Sequence, residues 1–407
     1  MLKPALCSTS MLCLGLLASL NSSATDLKCG DRITENTTMT ADLDCTGFNG
    51  NALTIDGSNI IFNGAGHRIT TTVGGTSAVI VNVLASNVTV KNTVISAPNS
   101  VGIKVDGEGS IITNNTVDNA NLGILISKPG SVVKNKVRNS TGNGIKVDLS
   151  QKSDDSQVVI NGNDLQNSIG CAFYIVAPEF TLTGATKNNL NGSNEAFCLK
   201  GGNLTVQNMN LSNQLIYKRH FVVDSVDSIT LKNVDVSSIA PATADQQRAG
   251  IDMYRVKYFK LENVVANCND VGAQIQNEVQ NGESVLPVGE VINSSFKGNV
   301  YAGVHVVIHD VNSKYGKIMI CENKFAEESK NKSIIVRSEK APGTPASDFA
   351  DVTTVCNAKD LNQYKVISSN SVLCDPNGRR PGNGGGTGGS GGHKGHKGHN
   401  KPSSPLL

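Results

Sequence analysis

Apolar residues recur along this chain in short runs of strict alternation. Ala52-Leu53-Thr54-Ile55, Gly102-Ile103-Lys104-Val105, Gly123-Ile124-Leu125-Ile126 and Gly144-Ile145-Lys146-Val147 share one form. Ala172-Phe173-Tyr174-Ile175, Ala196-Phe197-Cys198-Leu199, Gly250-Ile251-Asp252-Met253 and Gly303-Val304-His305-Val306 continue it. Period-two alternation predicts strands that bury one face. Each run is followed by a second one ending at an asparagine: Asn92, Asn115, Asn135, Asn163, Asn188, Asn208, Asn233, Asn263, Asn293 and Asn323. A repeat of about 20 to 30 residues made of short strands and polar turns is the mark of a solenoid. Hairpins would need reversing turns, and the Asn-Gly pairs are not placed to provide them. Each coil gives two or three strands to parallel stacks, with the next coil about 4.8 Å above. Asparagine fits the corner because it tolerates left-handed backbone angles and its amides can stack from coil to coil. The fold class predicted is all-β, a parallel β-helix of about twelve coils.

Composition sharpens this picture. The chain has 407 residues, 41 glycines, 4% aromatic residues and no Trp. Its core is expected to be built from Val, Ile and Leu rather than rings. A long helical bundle would want Ala, Leu, Glu and Lys in place of Asn, Gly, Val and Thr. The formal net charge is +2, so no nucleic-acid-binding field is implied.

The two ends differ from the middle. Residues 1–24 read as an export signal: Lys3 gives a positive start, Met11 to Leu20 is a short apolar stretch, and Ser22-Ser23-Ala24 supplies small residues for cleavage. No stretch reaches the roughly 18 apolar residues of a membrane span. A secreted chain, extracellular or periplasmic, follows. The rest divides into an N-terminal cap over 25–50, the β-helix over 51–340, a C-terminal cap over 341–375 and a Gly/His/Lys-rich tail over 376–407. Eight cysteines remain after the signal, an even number that favours disulfides in an exported chain. Cys29 with Cys45 and Cys356 with Cys374 are the pairs expected, since each closes a short terminal loop.

The segment after the expected signal carries further motifs: Cys29-Gly30-Asp31, Ile33, Thr37-Thr38-Met39-Thr40, Asp42-Leu43-Asp44-Cys45 and the Asn63-Gly64-Ala65-Gly66-His67 turn. With these and its repeats the chain resembles right-handed parallel β-helix proteins of the pectate-lyase-like superfamily, in particular exported β-helix-repeat proteins. The resemblance implies a right-handed solenoid. It also implies a substrate groove on an outward sheet face, as in the superfamily's polysaccharide-active members. The fold carries lyases, hydrolases, epimerases and non-catalytic scaffolds, so it does not choose a reaction. The Asn-Thr-Asp of polygalacturonases and the Asp-Pro-His-Asp of mannuronan epimerases do not occur.

Stacking the strands in register predicts two outward columns. One reads Cys198, Val222, Asp252, Gln274, His305; its neighbour reads Lys200, Asp224, Tyr254, Gln276, Val307. Asp224 and Asp252 then sit one diagonal apart, roughly 8 Å between backbones. That separation suits the acid and base of an inverting glycosidase. Proton abstraction beside a uronate carboxylate is the other chemistry; it needs that carboxylate neutralised and a base at hand. Asp224, Asp252, Tyr254 and His305 are the catalytic candidates, with Lys200, Tyr174, Arg255 and Gln274 as substrate-binding residues. No cofactor follows from the sequence; Arg255, Arg219 or a Ca²⁺ held by Asp224 and Asp252 are the ways to neutralise a uronate. The function expected is binding or modification of an acidic polysaccharide. The alternative is a non-catalytic surface or matrix scaffold, which the scarcity of ring platforms favours.

Overall fold

The computed structural model describes residues 23–71, 79–150, 158–184, 188–239, 248–277, 279–280, 283–284, 287–308, 318–325, 332–338 and 353–355. The first 22 residues, the C-terminal tail, Cys356 and Cys374 lie outside them. Among the described residues every regular element is a strand. All strand pairs are parallel except Val279–Gln280 with Glu283–Ser284. The chain is a β-solenoid of roughly ten turns. No helix among the described residues is long and apolar enough to cross a membrane.

Three sheets run up the stack, of 16, seven and six strands. One coil shows the plan. Val101–Val105 lies in the long first sheet, Ser110–Thr113 in the second and Thr116–Asp118 in the third. Leu122–Ile126 then stacks on Val101–Val105, opening the next coil. Residues 25–50 already take part. Asp31–Ile33 pairs with Leu53–Ile55, Thr37 and Thr38 pair with Phe62 and Asn63, and Leu43–Asp44 pairs with Ile69 and Thr70. From Cys171 onward the strands lengthen. Cys171–Thr183, Ser193–Asn210, Ile216–Asp235 and Ala249–Glu262 each run unbroken from the first face into the second.

The alternation becomes columns of side chains. Leu53, Val81, Ile103, Ile124 and Ile145 stack inward, followed by Phe173, Phe197, Phe221, Ile251, Ala273 and Val304. All are buried. The expectation of a core without rings therefore needs correction in the middle coils. There three phenyl rings stack at centroid distances of 5.1 and 5.2 Å, tilted by 15° and 14°. The strand spacing of about 4.8 Å is close to ring-stacking distance, so the ladder itself seats the rings face to face.

The asparagine column also resolves differently. It is two adjacent positions of one corner. Asn92, Asn208, Asn233, Asn263 and Asn293 hold the left-handed position, with φ between 51° and 56°. Their amides bond outside the core: Asn233 donates to Asn208 at 2.8 Å, and Asn263 to Asn233 at 3.1 Å. Asn115, Asn135, Asn163 and Asn188 come one residue later and point inward. Each of the first three donates its backbone N–H and its side-chain Nδ2 to the Oδ1 of the next. Their Nδ2 groups also bond Val90, Ile112 and Val132 carbonyls. Such a ladder satisfies buried corner amides that have no strand partner.

Cys29, Cys45, Cys171, Cys198, Cys268 and Cys321 are disulfide-bonded, and two of the pairs join described residues. Cys29–Cys45 forms as expected. Cys171–Cys198 was not anticipated; it joins neighbouring strands of the first sheet, with Cα atoms 5.9 Å apart.

Candidate functional site

The outward columns of the first sheet follow the predicted order. Tyr174, Cys198, Val222, Asp252, Gln274 and His305 are successive ladder partners. Asp224, Tyr254, Gln276 and Val307 form the neighbouring column, with Lys200 beside them at a register shift. The shift falls at the corner where Ser225 and Arg255 take left-handed φ values of 55° and 52°. Their left-handed backbone is what lets the long strands bend from the first face into the second.

Asp252 is the best-enclosed carboxylate on this face, 4% exposed. Tyr254 Oη donates to its Oδ2 at 2.5 Å, Arg219 Nη1 donates to the same oxygen at 3.0 Å, and Gln276 Nε2 donates to Oδ1 at 3.0 Å. Arg219 also reaches Tyr254 Oη at 3.2 Å and bonds Glu195 through Nε at 3.1 Å and through Nη2. Burial alone would lower the Arg219 pKa; the carboxylates of Glu195 and Asp252 raise it above the ordinary guanidinium value instead. Burial, followed by the charge of Asp252, pushes the Tyr254 phenol up to about 12. A phenol with that pKa keeps its proton at neutral pH, so in this geometry Tyr254 is a donor and not a base.

Asp224 belongs to a different cluster. Arg255 donates to its Oδ1 from Nε at 2.9 Å and from Nη2, Ser225 Oγ donates at 3.0 Å, and Lys200 Nζ lies 3.9 Å from Oδ2. The two aspartates are therefore engaged by separate arginines. Neither presents an uncommitted pair of oxygens for a shared Ca²⁺, which takes six to eight oxygen ligands.

His305 stands in the outward column yet is 2% exposed. Its Nδ1 lies 3.4 Å from Gln274 Oε1, and the Tyr301 ring meets it edge-on at 5.3 Å. Tyr174 is half-buried, with Lys146 Nζ 5.6 Å from its ring centroid. The structure thus brings Asp252 and Tyr254 together, joins Lys200 and Arg255 through Asp224, and joins Gln274 to His305.

Two residues at the centre lie outside the two columns: Arg219, one of the groups expected to neutralise a uronate, and Glu195, which the sequence pattern does not single out. They are ladder partners of each other and of Cys171 and Ala249, three positions before Cys198 and Val222. Alternation alone would give them the inward phase of Phe197 and Phe221, so the columns do not reveal them. Glu195 Oε2 lies 3.4 Å from the sulfurs of both Cys171 and Cys198. Among the described residues these three form a group close enough to hold a metal ion. The two sulfurs are joined in a disulfide, so neither offers the thiolate a metal needs.

Several described cations of this sheet pair with carboxylates. Lys104 pairs with Asp106 at 2.5 Å and Lys146 with Asp148 at 2.9 Å. Arg32 pairs with Asp56 at the start of the sheet.

No family model matches the chain, and no curated protein matches it in sequence. Solved structures do match in fold. The A-module of mannuronan C-5 epimerase AlgE4 from Azotobacter vinelandii superposes with a TM-score of 0.55 at 12% identity, over 80% of this chain and 91% of that one. The AlgE6 A-module from the same organism gives 0.51 at 13% identity, over 75% and 91%. The chain has a parallel β-solenoid fold resembling that of these two epimerase modules.

Proposed function

We propose that the protein is exported and binds an acidic polysaccharide along the outward face of its first sheet. The observation that carries this reading is the strip of cations there: Lys200, Arg219 and Arg255 stand on three successive coils and Lys146 two coils before Lys200, each against a carboxylate of the same face. The pairs of Lys146, Lys200 and Arg255 are partly exposed, and such pairs contribute about 0–1 kcal/mol, whereas Arg219 stays with the enclosed Asp252. A polymer bearing one carboxylate per sugar can therefore exchange for the internal partner at little cost. Tyr174 offers a ring face at one end of the strip and Gln274 an amide at the other. The likeness to two epimerase modules whose name includes mannuronan supports an acidic polymer as the ligand. Any chemistry on the sugar is placed at Asp252 and Tyr254, where a proton already lies between two side chains, with His305 on the next column position but one.

The rival reading is a non-catalytic surface or matrix scaffold. It is favoured by Asp252 itself, whose oxygens accept from three side chains and leave no evident base.

The test is equilibrium binding of the mature chain to alginate, polygalacturonate and a neutral glucan at low and high salt. Unsaturated ends and reducing sugar are followed in parallel. Binding to the two polyanions that weakens with salt, and weakens further in Lys200→Ala with Arg255→Ala, supports the proposal. No binding to either polyanion at low salt overturns it. Turnover lost in Asp252→Ala would exclude the scaffold reading.

A further inference from the structure

The second sheet stops partway up the solenoid, and its last strand has no ladder partner above it among the described residues. Val158–Asn161 is the last of the seven strands, and its ladder partner is Gly130–Val133. The next strand on this face is the distal part of Cys171–Thr183. There, from Glu179 to Thr183, it pairs with Asn203 to Gln207 of the following coil. No ladder joins Val158–Asn161 to Glu179–Thr183. The same two coils are joined on both other faces. Ile145–Asp148 pairs with Phe173–Val176, Asp164 bridges Asn189, and Asn163 N–H donates to Asn188 Oδ1 at 2.8 Å. The second face is thus split while its flanks are closed.

The two coils differ in sequence at the corner that follows. In the lower coil the left-handed Gly162 is followed at once by Asn163. In the upper coil the left-handed Gly184 is separated from the corresponding Asn188 by Ala185, Thr186 and Lys187. The corner of the upper coil is thus three residues longer in sequence than that of the lower coil. A cavity of about 390 Å³ lies between the two edges, lined by Val158 to Asn161 and Glu179 to Gly184.

Alternation fixes which backbone groups line it. Gly184 N–H donates to Gln207 O in the coil above, so Thr183 and Thr181 face the other way, into the cleft. Asn161 O accepts from Lys134 N in the coil below, so Ile160 faces up into it. Both walls therefore offer main-chain donors and acceptors. The buried floor is apolar, with Ile160, Phe180 and Leu182 at 5%, 4% and 3% exposure. Glu179 is the one charged side chain among the lining residues.

We propose that this cleft is a binding site for an extended peptide, which enters as a strand and joins the two halves of the second face. Two facing strand edges call for a ligand with a main chain of its own. The floor calls for small apolar side chains at alternate positions, and Glu179 calls for Lys or Arg at an outward one. The lining residues include no cation, so a polyanion has nothing to hold there. The proposal is independent of the polysaccharide reading, which concerns the first face.

The test uses the full chain and a labelled peptide, Thr-Val-Lys-Val-Thr-Val-Thr, with hydrogen exchange at 158–161 and 179–183. The cleft-facing amides should exchange faster than those of 203–207 in the free chain. They should slow by about tenfold or more with saturating peptide. Thr181→Pro, which deletes a cleft-facing N–H, should abolish peptide binding while Thr181→Val keeps it. Should Thr181→Pro not fold, exchange in the unaltered chain decides. Edge amides as protected in the free chain as 203–207, or unaffected by the peptide, would overturn the proposal. So would slowing of the same amides by an oligouronate in place of the peptide.

Discussion

The phenol of Tyr254 donates a 2.5 Å hydrogen bond to the carboxylate of Asp252, two residues earlier on the same strand. Positions i and i+2 share one sheet face, so the contact is local in sequence. Its strength comes from enclosure by Arg219 and Gln276, supplied by the coils on either side. Asp252→Asn keeps the shape and removes the charge. The Tyr254 pKa should then fall from about 12 toward its ordinary value without reaching it, because burial, the larger cause, remains. A phenolate absorbance titration of Asp252→Asn, with Tyr254→Phe subtracted, reads this directly. An unchanged titration would show that Asp252 does not act on the phenol.

His220 gives the fold a defined acid response. It is 3% exposed, and burial lowers its pKa from 6.5 to about 4, with Arg248 adding to the effect and Asp235 opposing it. The folded chain therefore holds this imidazole neutral where the unfolded chain would protonate it. Stability is unaffected above pH 6.5. It falls as pH drops below 6.5 and levels off near pH 4, losing about 3 kcal/mol over the window. Denaturant midpoints measured across that range should slope in the natural chain and flatten by that amount in His220→Phe. Equal slopes would assign the acid response to other groups.

Much of the fold was legible because a solenoid writes its register into sequence. The columns from Cys198 to His305 could be read since each strand begins with the same small-apolar pattern. What the sequence concealed depends on neighbours in other coils. Asn92 and Asn115 look alike, yet one sits in a left-handed bend and the other inside. The difference is a single position relative to the corner. Cys171 and Cys198 carry no local mark of partnership; they meet because one coil separates them. Glu195 lies before its apolar run, in the inward phase of Phe197, so alternation does not single it out. His305 occupies an outward position and is nevertheless buried, which alternation alone does not foretell.

The two asparagine positions should differ in cost. Asn135→Ala removes an Oδ1 that accepts from Asn115 N–H and Nδ2 and an Nδ2 that donates to the Ile112 carbonyl, all buried. Leaving such groups unsatisfied costs about 1–3 kcal/mol each, so a loss of about 3 kcal/mol is expected. Asn233→Gly keeps the left-handed bend and loses exposed amide bonds, so about 1 kcal/mol or less is expected. Urea midpoints for the two variants test the order. Equal losses would mean that the inward ladder is replaced by water.

The Cys171–Cys198 disulfide closes a loop with a sequence separation of 27 and rests against Glu195, which in turn holds Arg219. Chain entropy alone gives such a link about 3–4 kcal/mol. Replacing both cysteines by Ser should lower stability by that order. It should also act at a distance. With the sulfurs replaced by hydroxyls, Glu195 Oε2 gains two donors where it had only contacts, and its hold on Arg219 is shared. Arg219 then leans more on Asp252, and the phenol of Tyr254 titrates differently from that of the natural chain. Disulfide loss that lowers the melting temperature and leaves the Tyr254 titration untouched would make the bridge a staple of coils alone. Movement of both would tie the covalent link to the Asp252 cluster through two side chains on neighbouring strands.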